Sequence, residues 1–95
     1  MKISNDIIYR YLNRRVEDIQ DLKISFAQSD YEKMIEVGHK LKGNGRTFGY
    51  PEITQLGEEI EQAAGSKDKI KLIKCIDSFE ICVKNGLNNN SNDRT

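Results

Sequence analysis

Tryptophan is absent from these 95 residues, proline and histidine occur once each, and cysteine occurs twice. Each scarcity excludes something. A single proline, Pro51, leaves long stretches free to be helical, because proline inside a helix costs about 3 kcal/mol. Cys75 and Cys82, seven positions apart, would lie about 10 Å apart along one helix. A disulfide needs Cα atoms within about 7 Å, so both are expected as small buried hydrophobes in a reducing cytoplasm. One histidine without a convergent acid cluster gives too few ligands for a metal site. No apolar run approaches the roughly 20 residues of a membrane span, and Met1-Lys2-Ile3-Ser4-Asn5-Asp6 lacks a signal-peptide core. Fifteen basic and fifteen acidic residues cancel, so bulk charge favours neither nucleic acid nor an anionic membrane. The chain is expected to be a cytoplasmic monomer.

What is present is helical periodicity. A hydrophobic fraction of 37% with 32% charged residues fits one soluble domain. Over residues 5–28, Ile8, Tyr11, Leu12, Val16, Ile19, Leu22 and Phe26 recur at three- and four-residue steps as one apolar stripe. Asp30 is suited to cap a second helix over 31–48, with Met34, Val37, Gly38, Leu41, Gly45 and Phe48 on its buried side. Pro51 opens a third helix over 51–64, burying Ile53, Leu56, Gly57, Ile60 and Ala64. After a stop and cap at Gly65-Ser66, a fourth helix over 67–85 carries Ile70, Ile73, Ile76, Phe79, Ile81 and Val83. Four amphipathic helices on short connections predict an all-α, antiparallel four-helix bundle over residues 1–86. The asparagine-rich stretch 87–95 has no periodicity and is expected to be a disordered tail.

The unusual part is the second helix. On a helical wheel Ile35, His39, Lys42, Gly43 and Arg46 share one face at the edge of the buried stripe. Glycine in a helix costs about 1 kcal/mol relative to alanine, yet Gly38, Gly43 and Gly45 all occur here. Gly38 and Gly45 suit close helix packing; Gly43, one turn beyond His39, suits access to the ring. Lys42 can set an ammonium beside an anion carried on His39, with Arg46 one turn further. Lys40 is assigned only a helical pair with Glu36. Arg14-Arg15, followed by Glu17, Asp18 and Asp21, is expected to form a solvated mixed face.

The run His39-Lys40-Leu41-Lys42-Gly43-Asn44-Gly45-Arg46-Thr47-Phe48-Gly49 resembles the signature of the histidine-containing phosphotransfer (HPt) domains of two-component phosphorelays. Its Thr47-Phe48-Gly49 ending is similar to the phosphotransfer domains of chemotaxis histidine kinases. The likeness extends through Pro51-Glu52-Ile53 and Leu56-Gly57-Glu58-Glu59-Ile60-Glu61, and upstream to Tyr11-Leu12-Asn13-Arg14-Arg15. The resemblance implies that His39 is the phosphoacceptor, modified on Nε2, that Lys42 stabilises the phosphoryl group, and that Gly43 clears space. Glu61, with Gln62 as its neighbour and rival, matches the third-helix residue that hydrogen-bonds the ring. Implied partners are a response-regulator receiver domain, a histidine kinase, or both, with docking around Ile35, Gly43 and Arg46. Mg²⁺ is expected on the receiver, and this chain would hold no cofactor of its own. Neither a receiver nor an ATP-binding kinase domain fits in 95 residues, so a stand-alone carrier rather than an enzyme is expected. The alternatives are an unphosphorylated helical adaptor or a dimerisation module, the latter suggested by the leftover apolar residues Ile3, Ile7 and Ile24.

Overall fold

The computed structural model describes residues 4–92. The helices are α1 (Asn5–Ala27), α2 (Tyr31–Asn44), α3 (Pro51–Gly65) and α4 (Lys69–Asn92), with a single 3-10 turn (Arg46–Phe48) between α2 and α3. Their starts are chemically specified. Ser4 Oγ accepts from the Ile7 N–H, and Asp30 Oδ1 accepts from the Lys33 N–H. Asp68 Oδ1 does the same for Lys71 at the start of α4, and proline opens α3. Each cap meets a donor the helix cannot satisfy internally. Short connections make sequential helices antiparallel, and the bundle closes with α1 against α2 and α4, and α3 against α2 and α4. This is the all-α four-helix bundle that the periodicity predicts.

Leu12, Leu22, Met34, Leu41, Ile53, Ile60, Leu72, Phe79 and Val83 are fully enclosed in one core. Burying a side chain of this size contributes about 1.5–3 kcal/mol. At one end of the bundle the Tyr11 and Phe48 rings stack at 4.3 Å, and the Tyr11 hydroxyl donates to Asn44 Oδ1 at 2.6 Å. Burial pushes the Tyr11 phenol above its usual pKa, against the opposing pull of Arg15. Both cysteines are free, Cys75 buried and Cys82 half-buried.

Several expectations are corrected. The second helix ends at Asn44 rather than 48, because Gly45 lies against Thr54 and the chain tightens into the 3-10 turn. Gly49 completes that turn in the left-handed region, at φ 87°, where glycine carries no steric penalty. The third helix runs through Gly65, so Ser66 is its C-cap and Asp68 caps α4. The fourth helix does not stop at Gly86 but continues to Asn92. Gly86 lies close under Leu12 and Tyr50, and Leu87 packs against the core, so this stretch has neighbours the tail reading did not foresee. Residues 93–95 of the expected tail, and Ile3, lie outside the described residues.

The buried register of α4 also differs. Leu72, Cys75, Ile76, Phe79 and Val83 face inward, while Ile70 (71% exposed), Ile73 and Ile81 face out. In α1, Val16 faces solvent and Arg15 takes a buried position instead, with Asp18 3% exposed. The solvated mixed face expected there is therefore half internal.

Candidate functional site

Close approach of α2 and α3 builds the site. A Cβ added to Gly38 would stand 2.8 Å from both the Glu61 backbone nitrogen and the Gly57 carbonyl oxygen. Gly57 reciprocates, with its own Cβ position 2.6 Å from the Gly38 carbonyl oxygen. Two glycines facing each other let the backbones meet, and the side chains that follow on each helix then come within reach. His39 is the residue after Gly38, and Glu61 is one turn after Gly57.

The His39 Nδ1 lies 3.3 Å from Glu61 Oε2, and Lys42 Nζ lies 3.9 Å from Glu61 Oε1. His39, Lys42 and Glu61 are therefore together, as the family resemblance implies. The His39 side chain is 75% exposed. A carboxylate at Nδ1 favours the tautomer with its proton there and leaves the Nε2 lone pair free. Gln62 is exposed on the neighbouring position of α3 and its described hydrogen bond is through its backbone oxygen, so Glu61 is the residue at the ring.

A Cβ placed on Gly43 meets nothing within 4 Å. The bundle does not need glycine there, in contrast to Gly38, Gly45 and Gly57, whose Cβ positions fall on backbone atoms. Ile35 is half-buried one turn before His39. Arg46 lies past the end of α2, so helical spacing does not carry it onto the His39 face; its backbone N–H donates to Thr54 Oγ1 at 2.7 Å.

Lys40 does not pair with Glu36, which meets Lys33 instead. It reaches to α1, where its Nζ donates to Asp18 Oδ1 at 2.6 Å. The other Asp18 oxygen lies 3.0 Å from Arg15 Nε, in close charge contact but out of line for a hydrogen bond. Sequence reading missed this cluster because Lys40 is 22 residues from Asp18 and each member looks like a surface charge. The signal available was Arg15 and Asp18 falling within the apolar stripe of α1.

Comparison with curated proteins and with solved structures returns no match. The family model of the Hpt domain matches residues 9–88, which spans α2, α3 and nearly all of α1 and α4. The chain belongs to the Hpt domain family, a family of phosphotransfer modules of phosphorelays.

Proposed function

We propose that His39 is the phosphoacceptor and that the chain carries a phosphoryl group to or from an aspartate of a receiver domain. One observation supports this above the others: the only imidazole has its Nδ1 held by Glu61 at 3.3 Å while the ring stays open to solvent. In the step, the Nε2 lone pair attacks the phosphorus of the receiver's acyl phosphate. An N–P bond forms, the P–O bond to aspartate breaks, and the aspartate leaves as carboxylate. The proton on Nδ1 stays in place, and the positive charge that the ring acquires is met by Glu61. Lys42 supplies a cation for the phosphoryl oxygens, and the empty space at Gly43 lets a partner approach in line. Glu61 acts through His39 and is a positioning residue.

The chain brings a positioned nucleophile; the receiver brings Mg²⁺ and the leaving group. The partner docks over Ile35, His39 and Gly43, with Arg46 at the rim. The test is transfer from phosphorylated receiver domains to the wild-type chain and to His39→Gln. Acid-labile, base-stable label on the wild type alone supports the reading. Label of equal extent on His39→Gln refutes it, and no label from receivers or from phosphoramidate favours an unphosphorylated adaptor.

Self-association is the second reading, favoured by the exposed Ile24, Ile70 and Ile73. A molar mass in solution of twice the chain's 10.9 kDa would establish it.

A further inference from the structure

On the side of α2 turned towards α1 lies a cleft of about 520 Å³ lined by Ile7, Arg10, Tyr11, Arg14, Arg15 and Asn44, with Asn13 and Phe48 completing it. No carboxylate of the described residues lines it. Arg10 and Arg14, one turn apart on α1, are exposed and are in no ion pair among the described residues. The Arg15 side chain is nine-tenths buried, its guanidinium lies 4.5 Å above the Tyr11 ring, and its Nε has no hydrogen-bond partner. Asp18, the one acid in contact with Arg15, is engaged by Lys40 on its other oxygen. Three arginines therefore line one cleft, without a carboxylate of the described residues among them, on a molecule whose net charge is zero.

The cleft lies on the flank of the helix that carries the phosphoacceptor. Asn44 on its wall follows His39 by five residues on α2, about 7.5 Å of helical rise. Around the helix, Gly43 and then Lys40 lie between the two. A protein interface of standard size covers about 800 Å² per partner, an area wide enough to span from His39 and Gly43 across Lys40 onto the flank of α1. Exposed guanidinium groups hold a free anion only weakly in water, whereas the same groups beside a docked protein are shielded and confer orientation and rate.

We propose that this cleft is a second contact for the receiver, taking an Asp- or Glu-bearing segment of that protein onto Arg10, Arg14 and Arg15. The proposal rests on the phosphoacceptor reading of His39 and adds to it the charge character of the partner. The carboxylates meet Arg10 and Arg14 at the rim, and Arg15 with the Asn44 amide inside. Arg15 is held in place by Asp18, which Lys40 links to the helix that carries His39.

The experiment is single-turnover transfer from the receiver that donates fastest to the wild-type chain, compared with an Arg10→Glu/Arg14→Glu double variant over a series of salt concentrations. Phosphoramidate, a donor with no docking surface, is used in parallel on the wild type to test His39 by itself. Both substituted positions are exposed, and a thermal scan of the variant checks that it is folded. The expected result is a second-order rate constant at least about tenfold lower for the variant at low salt, the difference closing as salt rises. An Arg10→Lys/Arg14→Lys variant should keep most of the wild-type rate. An unchanged rate constant overturns the cleft while leaving His39 intact as acceptor, and a loss equal at every salt concentration also overturns it. Absence of label on the wild type from both donors removes the His39 reading, and the cleft proposal falls with it.

Discussion

Replacing glycine by alanine at positions 38 and 43 should move stability in opposite directions, although the two lie five residues apart on the same helix. In both cases the new methyl group improves intrinsic helix propensity by about 1 kcal/mol. At Gly43 the Cβ enters open space, so Gly43→Ala should retain that gain. For a domain of this length 1 kcal/mol corresponds to a rise in Tm of about 4–8 °C. At Gly38 the Cβ lands 2.8 Å from two backbone atoms of α3 and 3.2 Å from a third. Backbone cannot rotate aside like a side chain, so the helices must separate, and overpacking of this kind costs about 1–3 kcal/mol. The net expectation for Gly38→Ala is a loss of up to about 2 kcal/mol once the propensity gain is subtracted. It should also pull Glu61 away from His39. Urea unfolding followed by circular dichroism gives both values from the shift in midpoint. Stabilisation by Gly38→Ala, or destabilisation by Gly43→Ala, would refute the argument that packing requires only the first glycine.

Three other outcomes follow from the same structure. Asp18→Ala leaves the Arg15 guanidinium without its carboxylate in a largely buried position, and should cost about 3 kcal/mol in denaturant unfolding; a change below about 0.5 kcal/mol would show the cluster to be incidental. Glu61→Ala should slow phosphoryl transfer roughly tenfold, by analogy with other carboxylates that orient an imidazole, and change its pH profile. Glu61→Gln, which can still accept from Nδ1, should recover most of the rate; equal loss in both variants would argue against orientation. Burial and Glu52 push the Cys82 thiol from 9.0 up to about 11, so iodoacetamide at pH 8 should alkylate it slowly in the folded chain and quickly in urea. Because this pKa is raised on folding, the associated stability is present below the unfolded value near 9 and declines as pH climbs towards 11. Alkylation at the same rate in folded and unfolded protein would contradict the burial.

The sequence made much of this architecture legible, unevenly and for physical reasons. The stripe of α2 was readable because Met34, Val37 and Leu41 alternate with charged residues that leave a single inward face. In α4 apolar residues occur almost all round: Ile70, Leu72, Ile73, Cys75 and Ile76 fall within two turns. Periodicity alone cannot choose between such faces; contact with α1 and α3 selects Leu72 and Cys75. That His39, Lys42 and Glu61 come together was legible because His39 and Lys42 are one helical turn apart and the family signature supplies Glu61. Arg15 and Asp18 were not, since a buried charge is recognisable only with its counter-charge, and Lys40 arrives from another helix. Arg46 was assigned to α2, but α2 ends at Asn44 and Arg46 opens the 3-10 turn, where Gly45 packs closely against Thr54. The tail was read from composition, which carries no information about Leu87 finding the core.

The opposed glycines at positions 38 and 57 have a wider consequence. Because His39 and Glu61 sit on different helices and are joined across a backbone contact, the arrangement of the ring depends on a seam between two halves of a hairpin. A fluctuation that opens this seam by a fraction of a residue's width would leave most of the hydrophobic interior shut, yet release the imidazole to either tautomer. Chemical competence would then fade at temperatures or denaturant concentrations where helicity is still complete. Phosphate uptake would thus serve as a local strain gauge, reporting on one joint of the molecule before spectroscopy detects any unfolding of the whole.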